Sequence, residues 1–264
     1  MRKLLTIFIV FSVLALGLSL SPVFAKNLKN SDKDIPEQDG VYDVPGHPEL
    51  KVRVFVHHVG KGKPVPPTPV LECGLDDPQS LAVVDKEVWH LPANWTYNLN
   101  PGSVPGSVGG SNLFTIAENA FNEWEGAIKN KVNVVRGDDT LITRRALDGI
   151  NVITWGKASP GALGVTYIWY YSSSGEVAEL DTIMNKTYFW EWSEGSTACA
   201  YTESYDAQNI LTHEIGHWFG LDDEYDTANY QNATMYGYGD KWEVKKNTLT
   251  TGDINGVKAI YPVK

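Results

Sequence analysis

His213, Glu214, His217, Gly220 and Asp223 stand within one short run, HEIGHWFGLDD, and their types and spacing are those that hold a zinc ion on a helix. Residues four apart on an α-helix lie one above the other on the same face, so both imidazoles can be aimed at one cation. The glutamate between them projects beside the cation, where it can take a proton from water, and HExxH is a metalloprotease signature for that reason. Gly220 is suited to the left-handed conformation that ends a helix and turns the chain back. Asp223, ten residues after His213, can then supply a third ligand, with its neighbours Asp222 and Glu224 as the competing carboxylates. Three protein ligands leave a fourth position for water, which separates a catalytic zinc site from a structural one.

The elements that must position these residues can be read from periodicity. The zinc helix should run from near Asp206 to Phe219 and stop at Gly220. An earlier helix is expected over about 115–130, because Ile116, Ala120, Phe121, Trp124, Ala127 and Ile128 recur on one face, with Thr115 and Glu118 at capping-box spacing. Strands are expected over 50–57, 96–99, 132–135, 150–155, 165–171 and 179–185, and a last helix over 253–260. Strands broken by one early and one middle helix, with a late helix after a long loop, point to an α+β fold.

The chain has 264 residues and a formal net charge of −10, with only two cysteines. Such an acidic balance argues against a nucleic-acid partner. Residues 1–25 read as a secretory signal: Arg2 and Lys3, an apolar stretch from Leu4 to Leu20, and a small-residue cleavage site at Val23-Phe24-Ala25. An uncleaved anchor is the alternative; after cleavage a secreted protein with no stable membrane association is expected, and a monomer is expected although the sequence does not fix the oligomeric state. Residues 26–70 read as an N-terminal extension, a candidate propeptide closing with the Pro-rich run GKGKPVPPTP, and residues 71–264 as the catalytic domain. Export takes Cys73 and Cys199 into an oxidising compartment, where one disulfide is expected.

HEIGHWFGLDD, followed by Met235-Tyr236 and the closing stretch TLTTGDINGVKAIYP, resembles the metzincins and, within them, the matrixins, over roughly residues 89–264. The resemblance implies a twisted mixed sheet carrying an upper helix, an active-site helix and a C-terminal helix, with a substrate cleft between two subdomains. It implies one catalytic Zn2+ held by His213, His217 and Asp223, Glu214 as general base, Met235 as the Met-turn residue under the metal, and Tyr236 shaping the pocket beside the scissile bond. Asp223 departs from the usual third histidine, a variant that occurs in some secreted bacterial metzincins. The second, structural zinc site of matrixins is not expected, because the chain has no histidine between His90 and His213. Ca2+ is a candidate stabiliser through Asp138, Asp139, Glu179 or Asp181, although solvated surface carboxylates are the preferred reading of these residues. Cys73 in LECGLDDP lies where matrixin propeptides carry a metal-capping cysteine, yet Glu72 and Asp76 break that pattern and a disulfide to Cys199 is preferred. Residues 162–185 should frame a peptide substrate that adds as a strand to the sheet.

The reading is a secreted zinc-dependent endopeptidase acting on protein or peptide substrates by Glu-assisted attack of zinc-bound water. The rival is a secreted glycan- or protein-binding module with a structural zinc, using the aromatic-rich YIWYY and YFWEW segments as its surface. His57, His58 and His90 read as ordinary surface or partly buried histidines and not as metal ligands.

Overall fold

The structure, a computed structural model, describes residues 35–60, 89–193, 204–241 and 243–263. The expected signal segment, Cys73, Cys199 and the linker beyond Gly60 lie outside them, and with them the disulfide or cysteine cap. Among the described residues no helix is long and apolar enough to cross a membrane.

The strands are β1 (Gly40–Val44), β2 (His47–Val59), β3 (Asn94–Leu99), β4 (Asn133–Asp139), β5 (Val152–Gly156), β6 (Ala162–Tyr171), β7 (Val177–Asn185), β8 (Trp190–Glu191), β9 (Tyr205–Asp206) and β10 (Tyr238–Gly239). The helices are α1 (Leu113–Ala127), α2 (Ala207–Trp218), the single-turn α3 (Thr227–Tyr230) and α4 (Thr251–Ile260). The main sheet runs β1-β2-β6-β7-β5-β3-β4, with β10 paired to β2, and β8 and β9 form a separate pair. β4, β3, β5 and β7 are parallel, while β6 and then β2 and β1 are antiparallel to their neighbours. This is the expected α+β mixed sheet. The sequence expectation missed β1 and the two-residue strands β8, β9 and β10, the last three too short for a period-2 pattern to declare itself.

β2 also forms more than an isolated strand of an extension. Val52, Val54 and Val56 alternate with Arg53, Phe55 and His57, and successive side chains of a strand point to opposite faces. The valines join Ile35, Val165, Tyr167 and Trp169 in the core on one side of the sheet. The alternate set faces the other side, where Phe55 belongs to the core that includes α1 and α2. Residues 35–60 of the expected extension therefore pack as part of the sheet.

α1 starts at Leu113, two residues before the expected capping box, and buries Leu113, Ile116, Ala117, Ala120, Phe121 and Trp124. α2 is buried along its whole length. A helix with no wet face must be oriented by specific bonds, and three indoles supply them. Trp124 Nε1 donates to Thr212 O at 2.8 Å, Trp89 Nε1 to His217 O at 2.8 Å, and Trp218 Nε1 to Thr182 Oγ1 at 2.9 Å. At its start Asp206 accepts from Asn209 N at 2.7 Å, the side-chain cap that the first turn needs. At its end Gly220 takes φ = 95°, as the sequence requires, and a Cβ there would press on the carbonyl of Trp89.

The aromatic segments divide between core and surface. Tyr167, Trp169, Tyr170 and Trp190 are buried, whereas Tyr171 and Phe189 are exposed.

Glu179 and Asp181 of β7 are buried and bind backbone instead of lying solvated at the surface. Asp181 accepts from Ala146 N and Val152 N, and Glu179 from Asp148 N and Gly149 N, so all four oxygens hold the loop before β5. None of Asp138, Asp139, Glu179 and Asp181 belongs to the groups of metal-ligating side chains found among the described residues. Burial, outweighing the two amide donors, pushes Glu179 up to about 8 from an ordinary 4.5. The folded chain thus holds this proton more tightly than the unfolded chain does, and the associated stability is full below about pH 4.5 and lost as pH rises through 8. Thermal melting followed by circular dichroism should show the midpoint falling from pH 5 to pH 8, and Glu179→Gln should flatten that fall.

Candidate metal centre

His213 and His217 present their rings on one face of α2, and each is oriented by a backbone carbonyl. His213 Nδ1 lies 2.7 Å from Thr234 O and His217 Nδ1 2.8 Å from Leu221 O. A carbonyl only accepts, so each Nδ1 carries the proton and each Nε2 keeps its lone pair. The Gly220 turn brings Asp223 back so that Oδ1 lies 3.1 Å from His213 Nε2 and 3.7 Å from His217 Nε2. Both Nε2 atoms and Asp223 Oδ1 are buried, and none has a hydrogen-bond partner among the described residues. Zinc bonds of about 2.0–2.1 Å in a tetrahedron place ligand atoms about 3.3 Å apart, so the donor set and its spacing fit such an ion.

The other two candidate third ligands are engaged elsewhere. Asp222 Oδ1 accepts from Arg53 Nη2 at 3.2 Å and from Asp223 N at 2.9 Å, and Glu224 Oε1 accepts from Asp226 N at 2.8 Å. Asp223 Oδ2 accepts from the hydroxyl of Tyr225 at 3.1 Å, which fixes the carboxylate plane. Burial would raise the Asp223 carboxyl, but the neighbouring His217 and His213 rings and the Tyr225 hydroxyl outweigh it and hold it below its ordinary value. Burial pulls His217 down to about 3, whereas at His213 the facing Asp223 carboxylate overcomes burial and leaves the ring raised.

Glu214 points from the same helix towards β6. Its Oε2 accepts from Thr166 Oγ1 at 2.6 Å; Thr166 and Thr182 hydroxyls are 2.8 Å apart, and Thr182 receives the indole of Trp218. This chain of donors leaves Oε1 without a hydrogen-bond partner. Gly164 makes the approach possible, because a Cβ at that position would collide with the carboxylate. Burial pushes Glu214 up to about 7, against the lowering pull of His213 and the Thr166 hydroxyl.

Met235 is buried against Gly216 and Trp124 on the inner side of α2. Asp253 holds that turn: it accepts from Met235 N at 3.2 Å, Thr234 N at 3.0 Å and Thr250 N at 2.9 Å, while completing the capping box of α4. Tyr236 bonds through its hydroxyl to Thr227 at 2.6 Å. The buried Lys246 sends its ammonium to Tyr238 O at 2.7 Å and to Glu243 at 3.2 Å, so residues 236–239 are anchored from below.

Two expectations need correction. The edge of β6 is not open to a substrate, because β2 is paired along it from Leu50 to His58. Nor is His57 an ordinary surface or partly buried histidine. It is fully buried, its ring centroid is 3.8 Å from that of His213, and its Nδ1 is 3.4 Å from Glu214 Oε1. Phe55, two residues earlier, stacks on His217 at 3.7 Å with planes 5° apart. Thr166, Asp253 and Lys246 were missed as well. No motif marks Thr166 or Lys246, but Asp253 follows Thr250 at capping spacing and was visible as a helix start. His58 and His90 lie away from the cluster, in contact with Asp39 and in a bridge to Glu176.

No curated protein matches the chain. The family model described as Matrixin matches residues 154–262, a stretch that runs from β5 through β6, β7 and α2 to the end of α4 and so contains every residue of the cluster except His57, and over that stretch the chain is similar to the matrixins.

Proposed function

We propose that the chain is an exported zinc-dependent endopeptidase in which His213, His217 and Asp223 hold one zinc ion and Glu214 is the general base. The observation that carries this reading is the convergence of three buried, unpartnered donor atoms at ligand spacing beside the unpartnered Oε1 of Glu214. A structural site has no need of such a carboxylate, and this disfavours a binding module. Zinc, when bound, polarises the scissile carbonyl and makes water a stronger acid.

The chain's own residues do the rest. Thr166 pins Oε2, so Oε1 is the basic atom that accepts the proton of the attacking water and returns it to the leaving amine. Met235 and the Asp253 staple keep the floor of α2 from shifting, and Tyr236, fixed by Thr227, stands as the wall of the specificity pocket. Asp223 makes the site less positive than a third imidazole would, so its water is a weaker acid than in a three-histidine site. Export rests on the N-terminal charged and apolar pattern, and it would let Cys73 and Cys199 pair.

Purified secreted protein should contain one zinc per chain by atomic absorption, and chelation should abolish casein or gelatin cleavage. Glu214→Gln should keep the zinc and lose turnover by about 100-fold or more; full activity in that variant would reject Glu214 as the base. Asp223→Ala should lose zinc, whereas Asp223→His should retain it. Unchanged zinc affinity in Asp223→Ala would transfer the ligand role elsewhere.

A further inference from the structure

A carboxylate as third ligand poses a problem that a third imidazole does not. A neutral imidazole offers a metal one lone pair, whereas an aspartate offers two oxygens and binds through one or both. Bound through both, Asp223 would take the fourth position that a catalytic site keeps for water. In the folded chain its two oxygens have different surroundings. Oδ1 lies 3.1 Å from His213 Nε2 and 3.7 Å from His217 Nε2 and makes no hydrogen bond among the described residues. Oδ2 accepts from the hydroxyl of Tyr225 at 3.1 Å.

Tyr225 is an unexpected donor for a carboxylate that is itself buried. Its side chain is 44% exposed, and it lines an open cleft of about 490 Å³ together with Asp39, Arg53, His58, Asp222 and Tyr238. A tyrosine with one wet end ordinarily leaves its hydroxyl in water, yet this hydroxyl turns inward. Three features aim it. Glu224 bridges to Tyr236, with Glu224 N donating to Met235 O at 2.7 Å and Gly237 N to Glu224 O at 2.9 Å, so the backbone leading into Tyr225 is tied to the Met235 turn. Gly237 leaves room for the ring, because a Cβ there would stand 2.5 Å from Tyr225 Cε1 and 3.0 Å from Asp223 Oδ1. Tyr238 meets the ring at 5.5 Å with planes 75° apart.

We propose that Tyr225 is a positioning residue that restricts Asp223 to a single coordinating oxygen and thereby keeps the fourth position at the metal for water. This rests on the metal-centre reading above. The phenol occupies Oδ2 and, by anchoring it, turns the carboxylate so that Oδ1 leads towards the two imidazoles. Water from the cleft would solvate Oδ2 without fixing its direction, because a water molecule has no anchor in the chain. The device belongs to the aspartate of this chain, since a histidine at the same position has no second oxygen to restrain.

The test uses the full secreted chain loaded with zinc and, separately, with cobalt. X-ray absorption at the zinc edge of the wild type should show four nearest ligand atoms, and a fifth at bonding distance would overturn the proposal without any variant having to fold. Tyr225→Phe removes only the hydroxyl from a half-exposed ring, and it should still bind one zinc per chain. The visible bands of its cobalt form should weaken about two-fold or more, because a second oxygen raises the metal above four ligands. Its kcat should fall about 10-fold with KM nearly unchanged. Asp223→His supplies the control, since adding Tyr225→Phe to it should leave the cobalt bands as they are. If Tyr225→Phe matches the wild type in its cobalt bands, or alters them equally in the Asp223→His background, the phenol does not restrict the carboxylate and the metal-centre reading stands alone. If the wild type takes up neither metal, the metal-centre reading fails and this inference fails with it.

Discussion

Everything in this fold answers to one constraint: several polar atoms that want a partner are held, buried and unpaired, around one point. His213 Nε2, His217 Nε2, Asp223 Oδ1 and Glu214 Oε1 have no hydrogen-bond partner among the described residues. Each such atom costs about 1–3 kcal/mol if nothing is supplied to it, so the surrounding structure must prevent the rings and carboxylates from turning to find partners of their own. The carbonyls of Thr234 and Leu221 lock the two rings, Tyr225 locks Asp223, and Thr166 locks Glu214. These fixing residues are themselves fixed. Asp253 holds the Thr234 turn, and the hydrogen bonds from Trp218 through Thr182 to Thr166 tie the sheet to the helix that carries the site.

The same logic explains why α2 is wholly buried. A solvated helix face would let water reach the unpaired atoms from behind, whereas indoles from α1, from the segment at Trp89 and from α2 itself satisfy the backbone and Thr182 without admitting water. Gly164 and Gly220 are two of the places where the chain leaves no room for a Cβ: the carboxylate of Glu214 against β6, and the turn that returns Asp223. The mixed sheet contributes through β6, whose antiparallel run lies beside Glu214. β2 then extends the sheet across that region, and the alternation that buries its valines on one side sends Phe55 and His57 to the other.

Most of the site was legible in HEIGHWFGLDD, because a helix and its terminating glycine are local. The i, i+4 spacing places two imidazoles on one face whatever surrounds the helix, and a glycine with positive φ turns the chain whatever it turns towards. The proposal of Asp223 over Asp222 and Glu224 was less legible, because what favours it is that the neighbours accept from Arg53 and from Asp226 N, partners that no local pattern announces. The capping box expected at Thr115 gave way to a start at Leu113, where the apolar face of α1 meets the core. Propensity at one turn is worth about 1 kcal/mol, less than burying a further large side chain.

By itself the sequence determined the elements that carry the chemistry, the identities of the residues pointing from them, and the alternation of β2, since all of these follow from backbone periodicity over a few residues. Only the tertiary structure decided that β2 pairs with β6, that His57 thereby comes within 3.4 Å of Glu214, and that Thr166 and Asp253 orient the site from distant parts of the chain. The physical reason is that strand pairing and burial are contests between segments far apart in the chain. A valine pattern states which side chains share a face of a strand, but which neighbour that strand finds is settled by the backbone donors and acceptors left open on the folded sheet.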